Sequence, residues 1–69
     1  MITPKPGQLI RFKDRKLFPN GEIYLVIERC PPPEEYMWGL SLVWKVITPA
    51  GKYDYVQDIY LKQMEVVKT

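Results

Sequence analysis

Leu40-Ser41-Leu42-Val43-Trp44-Lys45-Val46-Ile47-Thr48, then Pro49-Ala50-Gly51, then Lys52-Tyr53-Asp54-Tyr55-Val56-Gln57 is the stretch whose reading decides the fold. Leu40, Leu42, Trp44 and Val46 alternate with Ser41, Val43, Lys45 and Ile47. This period of two predicts a strand over 40–48 with the first set turned to the interior. Pro49, Ala50 and Gly51 are the residue types of a short hairpin turn. They predict a returning strand over 52–57, with Tyr53 and Tyr55 on one face and Asp54 and Val56 on the other. Asp58 then reads as the N-cap of a single helical turn over 58–61, with Ile59 and Leu61 packing beneath it. In a last strand over 64–67, Met64 and Val66 alternate with Glu65 and Val67.

Upstream, prolines 4 and 6 bias residues 3 and 5 away from helix, so residues 1–6 read as an extended arm. After Gly7 a first strand is expected over 8–13, with Ile10 and Phe12 on one face and Arg11 and Lys13 on the other. A loop of mixed charge, with Leu17 and Phe18 near its tip, ends in the turn signal Asn20-Gly21. The apolar middle Ile23-Tyr24-Leu25-Val26-Ile27 predicts a central strand over 22–29, covered on much of both faces. Pro31, Pro32 and Pro33 stop it. Five short strands with one helical turn before the last favour an all-β chain folded as a small, partly open barrel. A sandwich typically needs about 7 strands and about 100 residues.

Composition bounds the function. Sixty-nine residues suit one domain, read as spanning 1–69. An apolar fraction of 46% marks a globular chain. A net charge of +2 permits nucleic acid as a partner without pointing to it. The single cysteine, Cys30, rules out an intramolecular disulfide and suits a reducing compartment, so a cytoplasmic setting is expected. No apolar run approaches the roughly 18 residues of a membrane span, and the first residues show no signal-peptide core. Catalysis lacks its parts. There is no histidine to pair with Ser41 or to build a zinc site, and no glycine-rich phosphate loop. No metal and no cofactor are expected.

The order of features resembles the SH3-like barrel family. The carriers are Pro6-Gly7-Gln8-Leu9-Ile10-Arg11-Phe12, Gly21-Glu22-Ile23-Tyr24-Leu25-Val26-Ile27, Trp44-Lys45-Val46, Pro49-Ala50-Gly51 and Leu61-Lys62-Gln63-Met64-Glu65-Val66-Val67. The set is similar to the short SH3-like proteins encoded by tailed bacteriophages. That resemblance implies a non-enzymatic interaction module, either a small virion component or a modulator of a host protein, in the host cytoplasm or the virion. The chain departs from the peptide-binding SH3 domains. Leu9–Lys13 stands where they carry an Ala-Leu-Tyr-Asp-Tyr-type motif, and Trp38 and Trp44 are six apart rather than adjacent.

Three surfaces are candidates for binding. Tyr36, Met37 and Trp38, behind the prolines, are types enriched in protein interfaces, and Leu17 and Phe18 are grouped with them. They are read either as a protein-contact loop or as a lid over one barrel end. Arg11, Lys13, Arg15 and Lys16 hold four of the ten positive charges within six residues. They are read either as phosphate contacts for nucleic acid or as a solvated face. Tyr53, Tyr55 and Tyr60 are read either as a shallow groove for an extended strand or as plain shielding of the outer face. The partner expected is another protein, with nucleic acid as the alternative. An oligomer, with the acids at 34 and 35 set against a neighbouring copy's basic loop, stays open.

Overall fold

The computed structural model describes residues 2–14, 16, 19, 21–39 and 41–67, and structural statements refer to these. Five strands are present: β1 (Leu9–Phe12), β2 (Tyr24–Cys30), β3 (Val43–Ile47), β4 (Tyr53–Val56) and β5 (Met64–Val67). A 3-10 turn (Glu34–Tyr36) precedes β3, and a one-turn helix, α1 (Asp58–Leu61), precedes β5. All pairings are antiparallel in one sheet of order β4-β3-β2-β1-β5. The chain is therefore all-β, with its first and last strands side by side and the helical turn before the last strand.

Cross-strand register explains where the core lies. Ile10 pairs with Tyr24 and Val66, Phe12 with Met64, Val26 with Val46, and Trp44 with Val56. Partners directly opposite share a face. One concave face therefore collects the buried cluster Ile10, Val26, Trp44, Val46 and Met64, which Leu61 closes from α1. Each such side chain contributes about 1.5–3 kcal/mol by leaving water. Ile2 packs against this cluster and Pro4 is fully buried, so the expected N-terminal arm lies against the core.

The hairpin forms as its residue types predict. Thr48 N–H donates to Lys52 O (2.8 Å) and Gly51 N–H to Thr48 O (2.9 Å). Gly51 has φ 79°, which an L side chain adopts only with strain.

Several expectations are corrected. The strand over 40–48 begins only at Val43, so Leu42 precedes the sheet and is 42% exposed rather than interior. Val43, expected outward, is fully buried beside its partner Cys30, outside the main cluster. β2 is central, but only Val26 in it is fully buried. Tyr24, Leu25 and Ile27 are half-buried. Gln57, not Asp58, caps α1, and no side chain bonds there. Leu61 is buried as expected, whereas Ile59 is 64% exposed, because one helical turn offers the core only one face. Leu40 and Asn20 lie outside the described residues.

Candidate functional site

The loop after β2 is shaped by its prolines and by one strained residue. Pro31–Pro33 end β2, and the 3-10 turn follows with exposed Glu34 and Glu35. Met37 closes that turn at φ 50°, ψ 35°, its N–H donating to Glu34 O at 3.2 Å. A left-handed conformation costs a non-glycine residue roughly 1–2 kcal/mol. The Met37 side chain is 89% exposed, which excludes it as a lid. Its neighbours turn inward instead. The Tyr36 and Trp38 rings lie 4.8 Å apart, and Tyr36 meets Tyr55 of β4 edge-on at 5.4 Å. Desolvation, then the nearby Asp54 carboxylate, pushes the Tyr36 phenol up from its ordinary value. The loop is thus a methionine held out from a three-ring footing. Leu17 and Phe18, grouped with it from the sequence, lie outside the described residues.

The basic stretch is described at three of its four positions. Arg11 stands opposite Glu65 in the β1–β5 ladder and bonds it, Nε to Oε1, at 3.4 Å. Lys13 and Lys16 are exposed, the latter's N–H bonded to Asp14 Oδ1 at 2.8 Å. Arg15 lies outside the described residues.

The expected tyrosine groove divides. Tyr53 lies on the convex face, 63% exposed, with Lys45 Nζ 4.4 Å from its ring centre. The pair is a diagonal one across β3 and β4, since Lys45 stands opposite Tyr55. Tyr55, opposite Lys45, shares that convex face and meets Tyr36 there, whereas Tyr60 borders a concave-face cavity of about 350 Å³ lined also by Phe12, Tyr24, Asp54, Tyr55 and Val56. Phe12, Tyr24, Asp54 and Val56 share the concave face by register. Phe12 and Tyr60 meet nearly at right angles, with centres 6.4 Å apart. Tyr24 donates its hydroxyl to Glu22 Oε2 at 3.0 Å. Burial first, and that bond second, push its pKa from 10.0 to about 12. Sequence reading missed Phe12 and Tyr24 as site residues, because inward phase alone marks them as core.

A third constellation is structural. A bulge between Val26 and Glu28 shifts the β2–β3 register, so Arg29, not Glu28, stands opposite Trp44. The guanidinium lies 5.0 Å from the indole centre and binds Asp58 through both nitrogens, at 3.1 and 2.7 Å. Asp58 also accepts the Trp44 Nε1–H at 2.9 Å. Hydrogen bonding from Arg29 is the main cause that holds the Asp58 carboxyl below its ordinary value. Without the bulge, Glu28 would face the indole and set a second carboxylate near Asp58. Among the described residues, no group of three or more potential metal-ligating side chains comes together. Nor is any helix long and apolar enough to cross a membrane.

Comparison with known proteins brings no relative to this geometry: no family model, no curated protein and no solved structure matches the chain.

Proposed function

We propose that the chain is a non-enzymatic, SH3-like interaction module that docks another protein through Tyr36, Met37 and Trp38. The observation that carries this reading is Met37, which is 89% exposed in a left-handed conformation, on a footing of tilted and edge-on rings. Strained residues persist where surrounding structure holds them, and they concentrate at binding sites. Methionine adapts its shape to a partner, and tyrosine and tryptophan supply contact area at small entropic cost. Leu17 and Phe18 belong to the proposed surface by sequence only. The setting in a tailed bacteriophage, as virion component or host-protein modulator acting in the cytoplasm, rests on the resemblance of the strand and turn motifs.

The test is capture by the tagged chain from its native source, with and without nuclease, compared between the unmodified protein and Met37→Ala and Trp38→Ala. A single dominant protein should survive nuclease and be lost with Met37→Ala, whose melting curve should match the parent's. Trp38→Ala should weaken capture while remaining folded. Capture that Met37→Ala leaves unchanged would refute the surface. Capture abolished by nuclease would transfer the role to Arg11, Lys13, Arg15 and Lys16, with binding that falls steeply as salt rises.

A further inference from the structure

We propose that the concave-face cavity bounded by Phe12, Tyr24, Asp54, Tyr55, Val56 and Tyr60 binds a small free quaternary ammonium cation of about choline size. This goes beyond the interaction surface and shares only Tyr55 with it. By register Phe12 and Tyr24 turn their rings to this face, Tyr60 adds a third aromatic from α1, and Asp54 is a carboxylate; among the described residues no lysine or arginine lines the cavity, although the chain carries a net +2. Aromatic faces are electron-rich and attract a cation most strongly where water is displaced. The near-perpendicular rings of Phe12 and Tyr60 are aligned along two different directions, as a curved wall requires. Glu22, bonded to the Tyr24 hydroxyl, sets a second carboxylate beside that ring.

The donor balance selects the kind of cation. A primary ammonium or a guanidinium brings N–H groups that each need an acceptor. Among the described residues Asp54 is the only lining carboxylate, and its Oδ1 already accepts the Tyr55 N–H at 2.8 Å. A quaternary ammonium has no N–H, so its methyl groups pack on rings while its charge faces the carboxylates. A volume of about 350 Å³ sits at the small end of ligand clefts, which run from about 300 to 1,000 Å³. The headgroup of a phosphatidylcholine membrane carries the same cation, but its phosphate would lie near Asp54 and Glu22, like charge against like. The free cation is favoured for that reason.

The experiment is a nuclear magnetic resonance titration of the whole chain with choline chloride at matched ionic strength. Parallel titrations use the neutral isostere of choline, in which a tert-butyl group replaces trimethylammonium, and phosphatidylcholine vesicles. Choline should shift the Phe12, Tyr24 and Tyr60 resonances saturably, with a dissociation constant on the order of 1 mM or tighter, and the isostere should bind about tenfold more weakly. Asp54→Asn and Tyr60→Ala should each weaken choline about fivefold, Tyr60→Phe should retain it, and Tyr53→Ala and Met37→Ala should change nothing. Tyr60 is 46% exposed and Asp54 is exposed, so these variants are expected to fold, and a melting curve checks it. Equal binding of the isostere, unchanged affinity in Asp54→Asn and Tyr60→Ala, or no saturable shift would overturn the proposal. Vesicles competing better than choline would overturn the free cation in favour of a lipid surface. Because Met37→Ala is silent here and decisive for protein capture, the two readings fail separately.

Discussion

Replacing Asp58 by alanine should destabilise the chain more than any other single change to an exposed charge. Asp58 is 44% exposed at its side chain, so its contact with Arg29 is screened by water and salt and contributes little. The contact with Trp44 differs in kind. The indole is only 6% exposed, and Asp58 Oδ1 is its hydrogen-bond acceptor. Removing the acceptor leaves a largely buried donor short of its partner, at a cost of about 1–3 kcal/mol. A domain this small holds only about 3–5 kcal/mol in its core, so that cost is a large share of the whole. A loss of about 2 kcal/mol lowers Tm by about 8–16 °C. Thermal and urea unfolding of Asp58→Ala, Asp58→Asn and Arg29→Ala separate the contributions. Asparagine keeps an oxygen for the indole and loses only charge, so it should cost less than half as much as alanine. Arg29→Ala should cost less than Asp58→Ala. The Asp58→Ala deficit should persist near 1 M salt, where screening acts within about 3 Å. If Asn proves as harmful as Ala, or Arg29→Ala as harmful as Asp58→Ala, the indole bond is not the main contribution. The pH dependence follows with a definite sign. The Asp58 pKa is lower folded than unfolded, so its stabilisation is complete above the ordinary carboxylate value of 3.8. It is lost as pH falls through the lowered folded value, and acid unfolding of Asp58→Ala should lack that component.

Other outcomes follow from the same geometry. Tyr24, with a folded pKa of about 12 against 10.0 unfolded, stabilises the chain fully below pH 10.0 and loses that contribution as pH rises towards 12. Ultraviolet difference titration should show a tyrosine ionising near pH 12 that is missing in Tyr24→Phe. Met64→Ala removes a fully buried side chain from the cluster and should cost about 2–5 kcal/mol, enough to leave the chain largely unfolded by circular dichroism. Gly51→Ala meets no neighbouring atom but must hold φ 79°, so it should lower stability by about 1–2 kcal/mol in urea unfolding without altering the spectrum of the folded state.

What the sequence makes legible here depends on whether a local rule or a neighbour sets the structure. The hairpin at Pro49-Ala50-Gly51 and the strand over 64–67 were legible, because turn chemistry and alternation act within a few residues. The inward set of β3 was legible only where a partner strand exists, at Trp44 and Val46, and failed at Leu42, before β3 begins. The bulge left no mark at all. Ile23 to Ile27 is one apolar run, and an inserted residue there changes neither composition nor the presence of glycine. Yet that insertion decides that Arg29 meets Trp44 and Asp58, and so converts an expected helix cap into a tie between β2, β3 and α1. The candidate sites follow the same division. Met37 was named from its residue type, and the structure leaves it exposed. The cavity joins residues from β1, β2, β4 and α1, and two of its rings, Phe12 and Tyr24, carry the phase of ordinary core residues. They line a cavity instead because the position opposite Val46 is Asp54, a carboxylate that cannot be packed among apolar side chains. A single polar residue in an inward position of an edge strand leaves the concave face unfilled there, with Phe12, Tyr24 and Tyr60 bordering the gap.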